Sequence, residues 1–385
     1  MASSSTLSRR LLAPGVKSLR AHLQSELPNL RQTPVLVISS EVGASASTKI
    51  KPVADSCQWV KLTLAQQFSM RTVPTTISSA VPTKDSLEQT LELMQRTGAA
   101  SVVSVGSGAA MDLGKAVQTT LENDEKSEKK TPLILVPTTF SGVLASGSSH
   151  SLFLDNEEET LVPFPQRHQA ILDTSDDGSN SSRATISTLE PEKYMEPMDA
   201  TKFDQLLYAI AAILLDASLR ESSHPSLPVL LQNTTNLIKN NNEMDATSLI
   251  PMLYESAGLL SYGLSDGFEE EDNRSITIAL ASSLIPTLFP ETHPTSFLAI
   301  LAPGLCHLLT EQTSDHEPLG ELVTALQERF ERKPPPSLVP VDESLQGFSV
   351  PDMALSHIQA NQAVWKPADV SDEIFVQVLQ HCMKQ

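Results

Sequence analysis

The stretch that most constrains this chain is Val102-Val-Ser-Val-Gly-Ser-Gly-Ala-Ala-Met-Asp-Leu-Gly-Lys-Ala-Val117, where an apolar run stops at two glycines and restarts as an amphipathic helix. An unbroken run of small and β-branched residues reads as a strand buried on both faces, as in a parallel sheet covered by helices. Gly106 and Gly108 allow a sharp turn and let a ligand touch the main chain. The helix that follows points its unpaired amides and its positive dipole end at the same spot. A second apolar strand comes next, in Pro132-Leu-Ile-Leu-Val-Pro-Thr-Thr-Phe-Ser-Gly142. Strand, glycine loop, helix and strand in that order make up a nucleotide-binding α/β unit. Met111 stands where the dinucleotide fingerprint G-x-G-x-x-G needs its third glycine. On these residues alone, a tight turn that holds no ligand remains the competing reading.

Composition sets outer limits. A chain of 385 residues with 40% apolar content has room for two cores,. The net charge of −19 and pI near 4.8 argue against binding nucleic acid through its phosphates, which takes clustered Lys and Arg. The acidic runs Asp155-Asn-Glu-Glu-Glu159 and Glu269-Glu-Glu-Asp272 read as solvated loops,. Cys57, Cys306 and Cys382 are far apart and lack C-x-x-C spacing, which suits a reducing compartment,. No apolar run reaches the ~20 residues of a membrane span. The first residues are Ser-rich and basic with no acid before Glu26, the style of a mitochondrial or plastid transit peptide. Little precedes Pro14, so residues 1–13 are expected to be a targeting segment or disordered tail, and the cytoplasm is the expected location.

Periodicity places a helix over about Val16–Glu26 and a first buried strand over Pro34–Ile38,. Lys84–Thr97 puts Leu87, Leu91 and Met94 on one helical face, with Thr83 as N-cap and Gly98 as the stop,. Glu122–Lys130 reads as an exposed link, and Asp173–Arg183 as a polar loop,. Beyond Pro191 strand patterns give way to helices, over Phe203–Leu219, Leu249–Tyr262, Ile276–Leu284 and Ser296–Leu309. The expected boundary between an α/β half (14–190) and an all-helical half (191–385) therefore lies near 190.

The loop and its partner strand resemble the iron-containing alcohol dehydrogenase and dehydroquinate synthase-like superfamily, whose pattern V-G-G-G-S-x-x-D-x-x-K is followed by P-T-T-x-x-G. Here it stands as Val105-Gly106-Ser107-Gly108-Ala109, Asp112 and Lys115, then Pro137-Thr138-Thr139 and Gly142, with Ser107 and Ala109 as small replacements that keep the spacing. The resemblance extends over nearly the whole chain, from Gly15 to a terminal helix over about Val370–Met383. It implies an N-terminal Rossmann-like parallel-sheet domain, a helical C-terminal domain, and an active site between them. It also implies that Asp112 orders the loop, that the amides of Ser107–Ala110 hold a pyrophosphate, and that Lys115, Thr138 and Thr139 belong to the same cofactor site. Without the resemblance, Asp112 and Lys115 read as a surface pair three residues apart. NAD-preferring members commonly place an aspartate at the end of the first strand to bind the ribose. Ser40 stands there with Glu41 after it, so NAD and NADP both remain open.

Metal-dependent members of that family bind a divalent ion with Asp-x-x-x-His on one helix and two later histidines. Asp204 keeps the first position, but Tyr208 replaces the histidine one turn on, Ile278 occupies the next, and His293 stands about one residue off the last. Asp204 is thus a remnant ligand position, and metal is not expected. Buried in an apolar helix, Asp204 needs a partner: either it accepts a hydrogen bond from Tyr208 or a backbone group as a structural residue, or it remains as a polar wall of a substrate pocket. The resemblance then implies an NAD(P)-dependent oxidoreductase passing hydride between nicotinamide and a small carbonyl or alcohol, similar to the metal-independent maleylacetate reductase branch. Tyr208 and His293 are the proposed proton donors. Expected partners are that small substrate and, if the chain assembles, a second copy in a homodimer. Two other readings stay open: an inactive relative that keeps nucleotide binding or a scaffold role, and a metal enzyme with ligands recruited from His307 or His224.

Overall fold

The computed structural model describes residues 10–11, 33–40, 51–123, 131–148, 151–155, 160–164, 184–186, 199–222, 224–240, 246–260, 275–288, 294–312, 317–336, 349–360 and 371–383. It falls into two compact units, Met1–Glu158 with Pro163–Pro197 and Glu159–Val162 with Met198–Gln385. The helix expected over 16–26, Glu41, the 124–130 part of the charged link, the polar loop over 173–183, the run over 269–272 and His293 lie outside the described residues.

Strands β1 (Arg10–Leu11), β2 (Val35–Ser40), β3 (Thr72–Ile77), β4 (Ser101–Gly106), β5 (Leu133–Pro137), β6 (Ser151–Asp155), β7 (Thr160–Phe164) and β8 (Ala184–Ile186) follow in chain order. Six of them form one parallel sheet ordered β1-β8-β5-β4-β2-β3. Every residue of β2, β4 and β5 is buried, which is why their sequences are continuous apolar or small runs,. Edge strand β3 alternates in exposure and carries Pro74, which cannot donate to a ladder and is tolerated at an edge,. Helix α1 (Lys51–Leu62), continued by a π turn over Thr63–Gln67, covers one sheet face. There Cys57, Val60 and Leu64 pack on Val35, Val37, Val103, Val105, Ile134 and Val136.

Helix α2 (Lys84–Thr97) begins with a reciprocal cap between Thr83 and Ser86 and ends at Gly98 in the left-handed region, as its sequence predicts. Helices α3 (Gly108–Asn123) and α4 (Phe140–Gly147) follow β4 and β5. From β2 the chain runs outward to β3, then returns to β4 on the other side of β2. The order therefore reverses between β2 and β4, and such a switch point opens a crevice at the carboxyl ends of the strands.

The second unit contains α5 (Ala200–Leu219), α6 (Leu227–Asn240), α7 (Ala246–Ala257), α8 (Ile276–Leu288), α9 (Pro294–Gln312), α10 (Glu317–Arg332), α11 (Val350–Ala360) and α12 (Asp372–Met383). Helix α5 starts earlier than its apolar pattern because the Asp199 side chain caps it, accepting from the Lys202 amide at 2.8 Å,. Helix α7 ends at Ala257 rather than running to Tyr262. Gly258 follows, and the amides of Gly258, Leu259 and Leu260 bond back to the carbonyls of Glu255, Ser256 and Ala257 in a tightened last turn,. Helix α8 begins against Asp216 of α5. This fully buried carboxylate accepts from the Ile276 amide at 2.8 Å and pairs with Arg220 at 3.2 Å.

Candidate functional site

Gly106, the last residue of β4, is the pivot of the first unit's site. Its φ of +138° lies in the region that favours glycine, and an added Cβ would stand 2.2 Å from Ser40 Oγ,. Ser40, the last residue of β2, accepts a hydrogen bond from the Ser107 amide at 2.8 Å. The loop is thus tied down where the strand order switches. Helix α3 starts there, with the Met111 amide making a bond back to the Ser107 carbonyl at 3.2 Å. The amides of Gly108, Ala109 and Ala110 come before that first intrahelical bond, at the positive dipole end of α3, the arrangement that suits an anion.

The Pro-Thr-Thr-x-x-Gly element packs directly against this loop. The Thr138 amide donates to the Gly106 carbonyl at 2.9 Å. Thr139 caps α4, its hydroxyl accepting from the Gly142 amide at 3.1 Å. Gly142 is small out of necessity, since a Cβ there would come within 2.6 Å of the Gly106 carbonyl oxygen. Thr138 Oγ1 is buried with no hydrogen-bond partner among the described residues, the kind of donor a bound group could satisfy,.

Asp112 and Lys115 are not a surface pair. Both are buried, and Lys115 Nζ stands 3.0 Å from Asp112 Oδ1. The ammonium also donates to the Ala145 carbonyl at 2.6 Å, and Asp112 Oδ2 accepts from the Leu152 amide at 3.4 Å. The pair therefore joins α3 to α4 and β6 behind the loop. Ser40, likewise, spends its hydroxyl on the Ser107 amide.

In the second unit the partner of Asp204 differs from the one expected. The Arg329 guanidinium bonds Asp204 Oδ1, and Lys333 Nζ stands 3.1 Å from Oδ2. The cations come from the end of α10, in Glu328-Arg-Phe-Glu-Arg-Lys333, a basic cluster whose partner only the folded chain reveals. Tyr208 donates instead to the Lys333 carbonyl at 2.5 Å, with its ring edge-on to Phe330. Burial pushes its pKa up to about 12; Arg329 pulls against that rise and Asp204 adds to it. Ile278 is buried in α8.

The described residues at the family's ligand positions therefore do not suit a divalent ion. The one carboxylate is held by two cations, and no group of three His, Cys, Asp or Glu gathers among the described residues. Of the histidines considered as replacements, His307 stacks on His381 with ring centroids 3.5 Å apart, and His224 Nδ1 accepts from the Ser226 amide at 3.3 Å. No helix among the described residues is long and apolar enough to cross a membrane.

Residues 17–164 match the family model of iron-containing alcohol dehydrogenases. That match covers the α/β part of the chain, and beyond it the likeness to solved structures is one of fold. Solved structures share the fold along nearly the full chain. The iron-containing alcohol dehydrogenase of Thermotoga maritima aligns with a TM-score of 0.62 at 15% identity, covering 99% of each chain. Maleylacetate reductase from Agrobacterium tumefaciens gives 0.61 at 14%, covering 98% of this chain and 97% of its own. Sulfoacetaldehyde reductase from Bifidobacterium kashiwanohense, solved in complex with NAD+, gives 0.62 at 13%, covering 99% of each. A search of curated protein sequences finds no match. The chain thus shares with these structures an α/β half followed by a helical half, as its motif order predicts.

Proposed function

We propose that this chain is an NAD(P)-dependent oxidoreductase of the iron-containing alcohol dehydrogenase superfamily that passes hydride between nicotinamide and a small carbonyl or alcohol substrate, without a divalent metal. The observation that carries the reading is the glycine loop at the strand-order switch, tied to Ser40 and followed directly by the N-terminus of α3. The amides of Gly108–Ala110 are the groups that hold the cofactor's pyrophosphate, with Thr138 Oγ1 beside them. Asp112 and Lys115 act from behind, fixing α3 against α4. The bound nicotinamide supplies the hydride acceptor or donor. On the substrate side the proton donor is assigned to His293, while Tyr208, its proton already on the Lys333 carbonyl, positions α5 against the end of α10.

Saturable binding of NADH or NADPH is expected at micromolar levels, on the order of −8 kcal/mol. Gly108→Val should abolish it by blocking close approach of the pyrophosphate. Equal binding by variant and parent would mean that the loop is only a turn. A second reading, an inactive relative that still binds nucleotide, draws on Tyr208 and Ile278 at the ligand positions. Cofactor binding with no turnover across a panel of aldehydes and keto acids would favour it.

A further inference from the structure

In the helical unit, a cavity of about 150 Å³ lies among residues of α6 and α10, with Lys239, Arg329, Arg332 and Lys333 in its lining; Glu328 is the one acid among the described residues that line it, and Ile238 adds an apolar wall. This runs against the local composition. Residues 198–385 contain 25 Asp and Glu but nine Lys and Arg, and four of those nine meet at this one cavity. Positions 328, 329 and 332 share one face of α10, so helical spacing brings the groups together.

The four cations are held differently. Arg329 has a side chain only 6% exposed, and Asp204 fixes its guanidinium. Lys333 also leans on Asp204. Lys239 pairs with Glu321 at 2.6 Å and Arg332 with Glu328 at 3.3 Å, and both of these pairs are open to solvent. Exposed pairs contribute little and are readily exchanged. A cation in the last turn of α6 or α10 also offsets the carbonyl end of its helix, but that does not require the cations to converge. The cavity could hold several waters, at ~30 Å³ each in the liquid, and so has room for a tetrahedral or planar oxyanion.

We propose that this cavity binds a small oxyanion, the phosphate or carboxylate group of a ligand. Arg329 provides the rigid planar donor, and Lys239 and Arg332 swing from their exposed acids to close on the ligand. The site lies within the helical unit and does not depend on the nucleotide loop or on hydride transfer.

The test is calorimetric titration of the full chain with inorganic phosphate and with succinate, at constant ionic strength against chloride. Binding of one or both is expected. Phosphate alone would indicate a phosphoryl ligand, and succinate alone a carboxylate. The double variant Lys239→Gln/Arg332→Gln, at exposed positions, should keep the parent melting temperature without anion and bind at least tenfold more weakly. Gly108→Val should leave this binding unchanged. The proposal is overturned if neither anion binds, if the double variant binds as the parent does, or if Gly108→Val alone removes the binding, which would put the anion at the nucleotide loop.

Discussion

Replacing Lys115 by Met probes the buried pair behind the nucleotide loop. The ammonium is engaged by Asp112 at 3.0 Å and by the Ala145 and Ser148 carbonyls at 2.6 and 3.4 Å. Met has similar bulk, so packing is largely kept, but Asp112, only 2% exposed, keeps its charge and loses its cation. Breaking a buried pair from one side costs about 3–5 kcal/mol. At roughly 2–4 °C per kcal/mol for a unit of this size, the melting transition of the α/β unit should fall by about 10 °C. Adding Asp112→Asn removes the stranded charge, so the double variant should recover much of the loss. Differential scanning calorimetry of parent, singles and double closes the cycle. A fall below about 1 kcal/mol for Lys115→Met, or a double variant no more stable than that single, would refute the assignment of these residues as a buried ion pair.

Three other outcomes follow from the geometry. Gly142→Ala should weaken cofactor binding and stability together, by about 1–3 kcal/mol of overpacking, because its Cβ would press on the Gly106 carbonyl; calorimetry with NADH reads both. Tyr208 has a pKa raised to about 12, so its contribution to stability is fully present below pH 10 and is lost as pH rises toward 12. The parent should therefore lose stability over that window more steeply than Tyr208→Phe in pH-dependent melts. Cys306 and Cys382, whose pKa values burial lifts to about 12, should react with a thiol reagent at pH 8 only as fast as the chain unfolds, and equally fast labelling of native and denatured protein would contradict this.

Local signals were legible where the chain makes its own rules. The capped α2, the all-buried strands and the loop at Gly106 could all be read from residue types and spacing, because each depends on neighbours a few positions away. The same spacing rule placed Asp112 and Lys115 on one helical face, yet it could not say that α4 and β6 close over them and turn a surface pair into a buried one. The partner of Asp204 was illegible for the same reason. Arg329 lies 125 residues on, at the end of an amphipathic helix whose basic last turn looks like an ordinary complement to its dipole.

That partner gives the acid in α5 a counter-charge from the protein itself. A largely buried carboxylate with no counter-charge is costly, and Tyr208, one turn on, gives its proton to the Lys333 carbonyl instead. Arg329 and Lys333 supply the positive charge instead, and because they sit at the end of α10 they also fasten α10 to α5. Asp204→Asn should lower stability by about 3 kcal/mol or more, because the buried Arg329 loses the carboxylate that fixes it,, while Arg329→Met combined with Asp204→Asn should restore part of it. A metal-held carboxylate would respond differently: Asp204→Asn would release a stoichiometric ion, and Arg329→Met would leave that ion bound. Elemental measurement on these variants, beside their melting curves, separates the two, and retained stability in Asp204→Asn together with released iron or zinc would overturn the assignment of Arg329 as the counter-charge.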